Sequence, residues 1–141
     1  MDASRDEEYI DFGMAFQSVM VEHLNGVLTE KGVEDEETRR EICETFLSGL
    51  GDFFDQHWLE RDGRRVHPVL AFAEHHLDVE TPLNDVGHVM FPAPRFAHRE
   101  YVFGTLADFY EEHEETTPGV ATGSVHEDDD GHYDDGVPDE W

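Results

Sequence analysis

Basic residues are scarce in this sequence, where eight Arg and a single Lys, Lys31, compare with 35 Asp and Glu. The formal net charge of −26 is far beyond the modest excess that keeps a small domain soluble. No continuous basic stripe of the kind that nucleic-acid-binding domains carry is present. A nucleic-acid-binding regulator is therefore only a second alternative for the function.

Cysteine and long apolar runs are scarce as well. Cys43 is the one cysteine, so the chain forms no internal disulfide, as expected of a protein in a reducing compartment. No apolar run approaches the ~20 residues that cross a bilayer. The first residues lack the basic and apolar regions of a signal peptide. The sequence therefore predicts a cytoplasmic protein with no membrane partner.

Hydrophobic residues nevertheless make up 38% of the chain and include ten Phe. Disordered acidic chains lack such a complement, and this length suffices for one packed core. We therefore expect the carboxylates to cover a folded protein that is adapted to a salt-saturated cytoplasm. Multimolar salt shortens the Debye length to ~3 Å, and hydrated salt cations accompany the acidic surface.

Apolar residues at helical spacing predict a mainly α fold, a small bundle of about four helices within a single domain, residues 1–115. The four predicted segments are 5–31, 36–58, 68–77 and 95–114. Ser4 and Glu7 match a capping box for the first segment. Gly49 and Gly51 in the second predict close packing or a kink. The Pro-rich stretch 78–94 is predicted as an ordered loop.

Two further segments differ from the helices in composition. Asp62-Gly63 is a strong turn dipeptide and allows a short β-hairpin near residues 58–67. Residues 116–141 hold eight acidic and no basic side chains, which predicts a disordered acidic tail. Within it, "HEDDDGHYDD" resembles a calcium loop, but His126 and Val137 occupy the end positions that require carboxylates. We expect this tail to hold hydrated cations loosely.

Positive charge is concentrated around the Asp62-Gly63 turn, and this island is the candidate partner-binding site: Arg61, Arg64, Arg65 and His67. One interpretation is internal pairing with Asp55, Glu60 or the acidic helix starts, since exposed ion pairs are common. The other is contact with an anion or a partner, because the planar guanidinium fork suits carboxylate and phosphate.

Ten histidines raise the alternative of a metal-binding protein or a metal-dependent enzyme, because neutral imidazole binds divalent transition metals. The sequence has no H-E-x-x-H, no Glu-x-x-His pair and no cysteine pair. Tertiary folding could still assemble a composite site for a divalent metal from His57, His67, His75 and Asp55. Without such a site, no cofactor is expected.

The sequence pattern singles out no catalytic nucleophile. Cys43 lies in a strongly periodic segment between Ile42 and Phe46, which favours a buried structural thiol. Ser48 lacks the flanks of G-x-S-x-G, and no Ser-His-Asp arrangement can be assigned without a fold. The favoured function is therefore a non-catalytic interaction or regulatory module. Its contacts would be the Arg61 to Arg65 turn and an apolar helix face, with a protein partner or a second copy as in a homodimer.

Salt adaptation makes a direct prediction for folding. We expect the free energy of unfolding to be higher in about 3 M KCl than in about 0.1 M KCl, because screening removes repulsion between carboxylates. Urea unfolding followed by circular dichroism at both concentrations measures this difference. Equal stability in the two salts would contradict the adaptation.

Overall fold

The structure, a computed structural model, describes residues 2–111 and residue 123. As predicted, the chain is mainly helical, with α1 at Glu8–Glu30, α2 at Glu36–Gln56 and α3 at Val102–Tyr110. Two 3-10 helices span Leu83–Val86 and His98–Tyr101. Within this part of the chain, no helix is both long and hydrophobic enough for a bilayer crossing. The predicted disordered tail and its calcium-like segment fall outside the described residues.

The described part of the chain also contains five short strands: β1 Asp2–Ser4, β2 Leu59–Arg61, β3 Arg64–Val66, β4 Phe72–Ala73 and β5 His88–Met90. β5 lies at the centre of a three-stranded sheet, parallel to β1 and antiparallel to β4. β2 and β3 form a separate antiparallel pair around the Asp62-Gly63 turn. Asp62 and Gly63 have φ of 52° and 76°, the positive values that a tight hairpin turn requires.

The helix predicted for 68–77 is wrong, and residues 2–111 contain three α-helices rather than the four predicted. This segment is extended: Phe72 and Ala73 form β4 against β5, and β5 itself lies in the stretch predicted as a loop. The apolar spacing instead reflects packing of the Phe72 ring on Tyr9, with centroids 5.1 Å apart. Pairing between strands distant in sequence overrides the local helical pattern here.

The start of the first helix also differs from the capping-box prediction. Ser4 belongs to β1, and α1 begins after Glu7 without a side-chain cap. At α2, Asp35 is the N-cap, and its carboxylate accepts a hydrogen bond from the Thr38 amide at 3.0 Å. The last predicted helix begins as the second 3-10 helix and becomes α3 only at Val102.

The three helices enclose the main core, where buried side chains from each meet: Val21, Cys43, Leu47, Val102 and Leu106. Cys43 is fully buried, as its periodic position predicted, and its Sγ lies 3.5 Å from the hydroxyl of Tyr110. A second cluster joins Tyr9 of α1 to Met90 of β5 and to Ala93. The sheet thus packs on the N-terminal end of α1.

Close packing occurs at one of the two glycines singled out in α2. A Cβ on Gly51 would lie 3.0 Å from the backbone N of Arg99 and 3.1 Å from its Cα. One turn later, the Asp55 carboxylate accepts hydrogen bonds from the amides of His98 at 2.7 Å and Arg99 at 3.0 Å. Gly49 has open space around it. α2 and the second 3-10 helix therefore touch through backbone atoms.

These two glycines form a matched pair for mutation. We expect Gly49→Ala to raise the free energy of unfolding by up to about 1 kcal/mol, because Ala is the better helix former and meets nothing. Gly51→Ala should lower it by about 1 kcal/mol, since the new methyl group presses on a backbone that Asp55 holds in place. Urea unfolding in concentrated KCl measures both values. Equal effects of the two substitutions would contradict the close contact.

Candidate functional site

The predicted basic turn lies on an exposed β-hairpin. We call residues 57–67, which contain β2 and β3, the arginine hairpin. Every residue of both strands is exposed. At its base, Nδ1 of His67 donates a hydrogen bond to the carbonyl oxygen of His57 at 3.3 Å. His67 therefore closes the base of the hairpin, while the arginines extend toward solvent.

Internal pairing accounts for only part of the positive charge. Arg65 Nε lies 3.4 Å from the Glu60 carboxylate, the pairing expected for that acid. Arg61 Nε lies 3.8 Å from Asp62, but these side chains are 92% and 89% exposed. Arg64 makes no ion pair with any of the described residues. Such exposed pairs contribute little stability, so the arginines can exchange them for an external partner.

Apolar side chains are exposed beside these arginines. Trp58 is 43% exposed, and Leu59 and Val66 face each other across the strands at 53% and 48% exposure. The Arg65 guanidinium lies 4.0 Å from the centroid of the Trp58 ring, a cation-π contact. The strands also border an open cavity of about 480 Å³. Exposed Trp and Arg together have the composition of a protein-binding surface.

The candidate metal ligands are not assembled in the structure. Among residues 2–111, no three His, Cys, Asp or Glu side chains form a group that could hold a metal ion. The Asp55 carboxylate instead binds backbone amides of the second 3-10 helix. The backbone amide of His75 donates to the carbonyl of Val86, beside the sheet. The predicted set His57, His67, His75 and Asp55 therefore does not form one site.

A polar row that the sequence did not reveal lies across β1 and β5. Ser4 Oγ lies 2.8 Å from Nε2 of His88, and Nδ1 of His88 lies 3.0 Å from a carboxylate oxygen of Asp2. The parallel register pairs Asp2 with His88, and Ser4 follows Asp2 by two residues on the same face. Ser4 and His88 are 84 residues apart in the sequence, so no local spacing could indicate this arrangement.

Acidic groups surround His88. Its hydrogen bond to Asp2 raises the pKa of His88 above the ordinary 6.5, and the charges of Asp2, Glu74 and Asp6 act in the same direction. Glu74 also accepts a hydrogen bond from the backbone amide of His88 at 3.1 Å. Ser4 Oγ has a second acceptor within reach, the Asp6 carboxylate at 3.4 Å.

The protonation state of His88 decides the direction of these hydrogen bonds. A protonated ring donates from Nδ1 to Asp2 and from Nε2 to Ser4, so the Ser4 hydroxyl is directed to Asp6. A neutral ring that keeps its proton on Nδ1 accepts the Ser4 hydroxyl at Nε2. The same three residues therefore form either a cationic link between two strands or a polarised serine.

A second histidine, His98, is buried and has a structural role. Nε2 of His98 lies 3.2 Å from the Tyr9 hydroxyl, which itself donates to the carbonyl of Leu70 at 2.6 Å. Burial lowers the pKa of His98 and raises that of Tyr9, so both groups are neutral near pH 7. His98 therefore donates to Tyr9, and the pair connects α1 to the segment that precedes β4.

The raised pKa of His88 predicts a pH dependence of stability. A group whose pKa is higher in the folded chain stabilises the fold below pH ~6.5, and this contribution is lost as pH rises through the folded pKa. Asp2→Asn removes the main cause, so we expect the folded His88 pKa to move down toward 6.5. NMR titration of the His88 ring measures the shift.

The control for this titration is Asp11→Asn, which removes the same charge from an exposed position on α1. It should leave the titration midpoint of His88 in place. An equal shift in both variants would show that overall charge, and not the contact with Asp2, sets the midpoint.

The chain matches no known protein family, no curated protein and no solved structure.

Proposed function

We propose that this protein is a cytoplasmic interaction module adapted to high salt, and that its arginine hairpin binds an acidic surface of a protein partner. The observation that carries the proposal is the joint exposure of Trp58, Leu59 and Val66 beside three arginines. Exposed apolar groups rimmed by polar ones mark interaction sites on otherwise soluble surfaces. Trp and Arg are also the residues that dominate binding energy at interfaces.

Charge complementarity determines the chemistry of the partner. Arg64 has no acidic partner among residues 2–111, and the pairs of Arg61 and Arg65 are solvent-exposed. A guanidinium binds a carboxylate through two parallel hydrogen bonds, which makes it selective for that group. These exposed, weakly paired arginines on a chain of net charge −26 are thus suited to bind Asp or Glu of another protein.

Protein is favoured over nucleic acid as the partner. Binding to a phosphate backbone relies on many cations and weakens steeply with salt concentration. Only nine basic residues are available in the whole chain, and the overall charge of −26 repels a polyanion. Apolar burial persists in concentrated salt, and the hairpin offers Trp58 for it.

The test compares what wild-type and variant proteins capture from a cytoplasmic extract in concentrated KCl. We expect the wild type to retain specific partner proteins. In the variant with Arg61, Arg64 and Arg65 all changed to Ser, the amount of captured partner should fall by about 10-fold or more. Trp58→Ala should cause a similar loss. Captured proteins are quantified by mass spectrometry, and circular dichroism verifies that each variant is folded.

A single substitution, Arg64→Ser, should also reduce capture, and Arg95→Ser is its matched control, because both remove one exposed arginine but Arg95 lies outside the hairpin. Capture unchanged by the hairpin substitutions would refute the assignment. Loss of the captured material after nuclease treatment would instead identify nucleic acid as the partner. If sedimentation shows a hairpin-dependent dimer of the pure protein, the partner is a second copy of the chain.

A further inference from the structure

Ser4 lies in the arrangement that activates a serine for nucleophilic attack. Its Oγ is 2.8 Å from Nε2 of His88, and Asp2 holds the other ring nitrogen at 3.0 Å. A nucleophile within hydrogen-bond reach of a base that a third group orients is the diagnostic geometry of covalent catalysis. Ser4 and His88 are both partly exposed, so small molecules can reach them.

The position of Ser4 in the fold supports the same role. It is the last residue of β1, and α1 begins at Glu8 after a three-residue turn. In hydrolases whose nucleophilic serine lies on the turn between a strand and a helix, the amide of the next residue binds the oxyanion, and Ser4 lies directly before such a turn. Here that residue is Arg5, whose amide has no hydrogen-bond acceptor in the described part of the chain.

We propose that Ser4, His88 and Asp2 form a serine-nucleophile site that cleaves small activated carboxylic esters, an activity beyond the proposed binding function and independent of it. The exposure of the site gives the substrate class: an open, mainly apolar cavity of about 380 Å³ borders Ser4, but neither His88 nor Asp2 is among its lining residues. Within the described part of the chain, no enclosed pocket therefore surrounds the three residues, and a small, activated ester is the substrate that needs least binding surface.

The reaction has two steps, acylation of Ser4 and hydrolysis of the resulting ester. Ser4 Oγ attacks the ester carbonyl carbon while neutral His88 accepts the hydroxyl proton at Nε2. The carbon-oxygen bond to the alcohol then breaks, and His88 returns the proton to the departing alkoxide. Water attacks the acyl group on Ser4, His88 takes one proton from that water and delivers it to Ser4 Oγ, and a carboxylic acid leaves. Asp2 keeps the ring oriented throughout.

Two features of the site slow this reaction, and their removal therefore has a predictable effect on the rate. The charged groups that face His88 are Asp2 on β1, Asp6 in the turn before α1 and Glu74 after β4, and they favour its inactive, protonated form. Asp6 also competes for the Ser4 proton at 3.4 Å and places a negative charge near the developing oxyanion. Removal of Asp6 should consequently speed acylation.

The experiment uses a fluorophosphonate probe and p-nitrophenyl acetate on the full chain in concentrated KCl. We expect stoichiometric labelling at Ser4 by peptide mass spectrometry and a rate that rises with pH through the His88 midpoint. Ser4→Ala should abolish labelling, and His88→Gln should slow it by ~100-fold or more. Asp6→Asn should raise the rate several-fold, which a merely structural link between strands would not produce.

Ser48→Ala is the matched control, because Ser48 is a similarly half-buried serine on α2. This variant should be labelled at Ser4 to the same extent as the wild type. If His88→Gln fails to fold by circular dichroism, the pH profile and Asp6→Asn decide the outcome. Folded wild-type protein that is labelled no faster than Ser4→Ala above the His88 midpoint would overturn the proposal. Labelling of Ser4 at a rate independent of pH and of Asp6 would overturn it as well.

Discussion

The carboxylate of Asp55 makes the contact on which the other elements depend. It accepts hydrogen bonds from the two amides that open the second 3-10 helix, and the amide of His98, a buried residue, would be costly to leave without an acceptor. Gly51 lets the backbones approach closely enough for this contact. The carbonyl of His98 then accepts from Gln17 of α1 at 2.7 Å, and Thr105 of α3 donates to Gln17 at 3.0 Å. These hydrogen bonds together link α1, α2 and α3 through the second 3-10 helix.

The sequence predicts those parts of the fold that depend on contacts between residues close together in the chain. α1 and α2 follow from local periodicity, and the burial of Cys43 follows with them. The extended backbone around β4 does not, because it depends on Tyr9 reaching the carbonyl of Leu70 and on pairing with β5. Those contacts join residues far apart in sequence, whereas Asp62-Gly63 indicated its hairpin through turn chemistry within two residues.

The two candidate sites differ for the same reason. The arginine hairpin is visible in the sequence because its three arginines lie within five residues, around a turn dipeptide. The polar row is hidden, since Ser4 with Glu7 matches a capping box and His88 has no distinctive neighbours. Only the register of β1 on β5 brings Asp2, Ser4 and His88 to one face. Asp55 was a candidate ligand of a composite metal site that only tertiary folding could assemble, and its oxygens instead bind backbone amides.

Concentrated salt acts differently on contacts of different length. At a Debye length of ~3 Å, charges separated by more than one solvent layer barely interact, while hydrogen-bonded contacts persist. Asp2 raises the His88 pKa through a hydrogen bond of 3.0 Å and through its charge, whereas Glu74 and Asp6 act through charge alone. Rising KCl should therefore weaken the effects of charge, while the hydrogen bond, the largest cause of the raised pKa, persists. Concentrated salt then lowers the His88 pKa only part of the way toward 6.5, and near its midpoint a larger fraction of the ring is neutral, the form in which Ser4 is polarised.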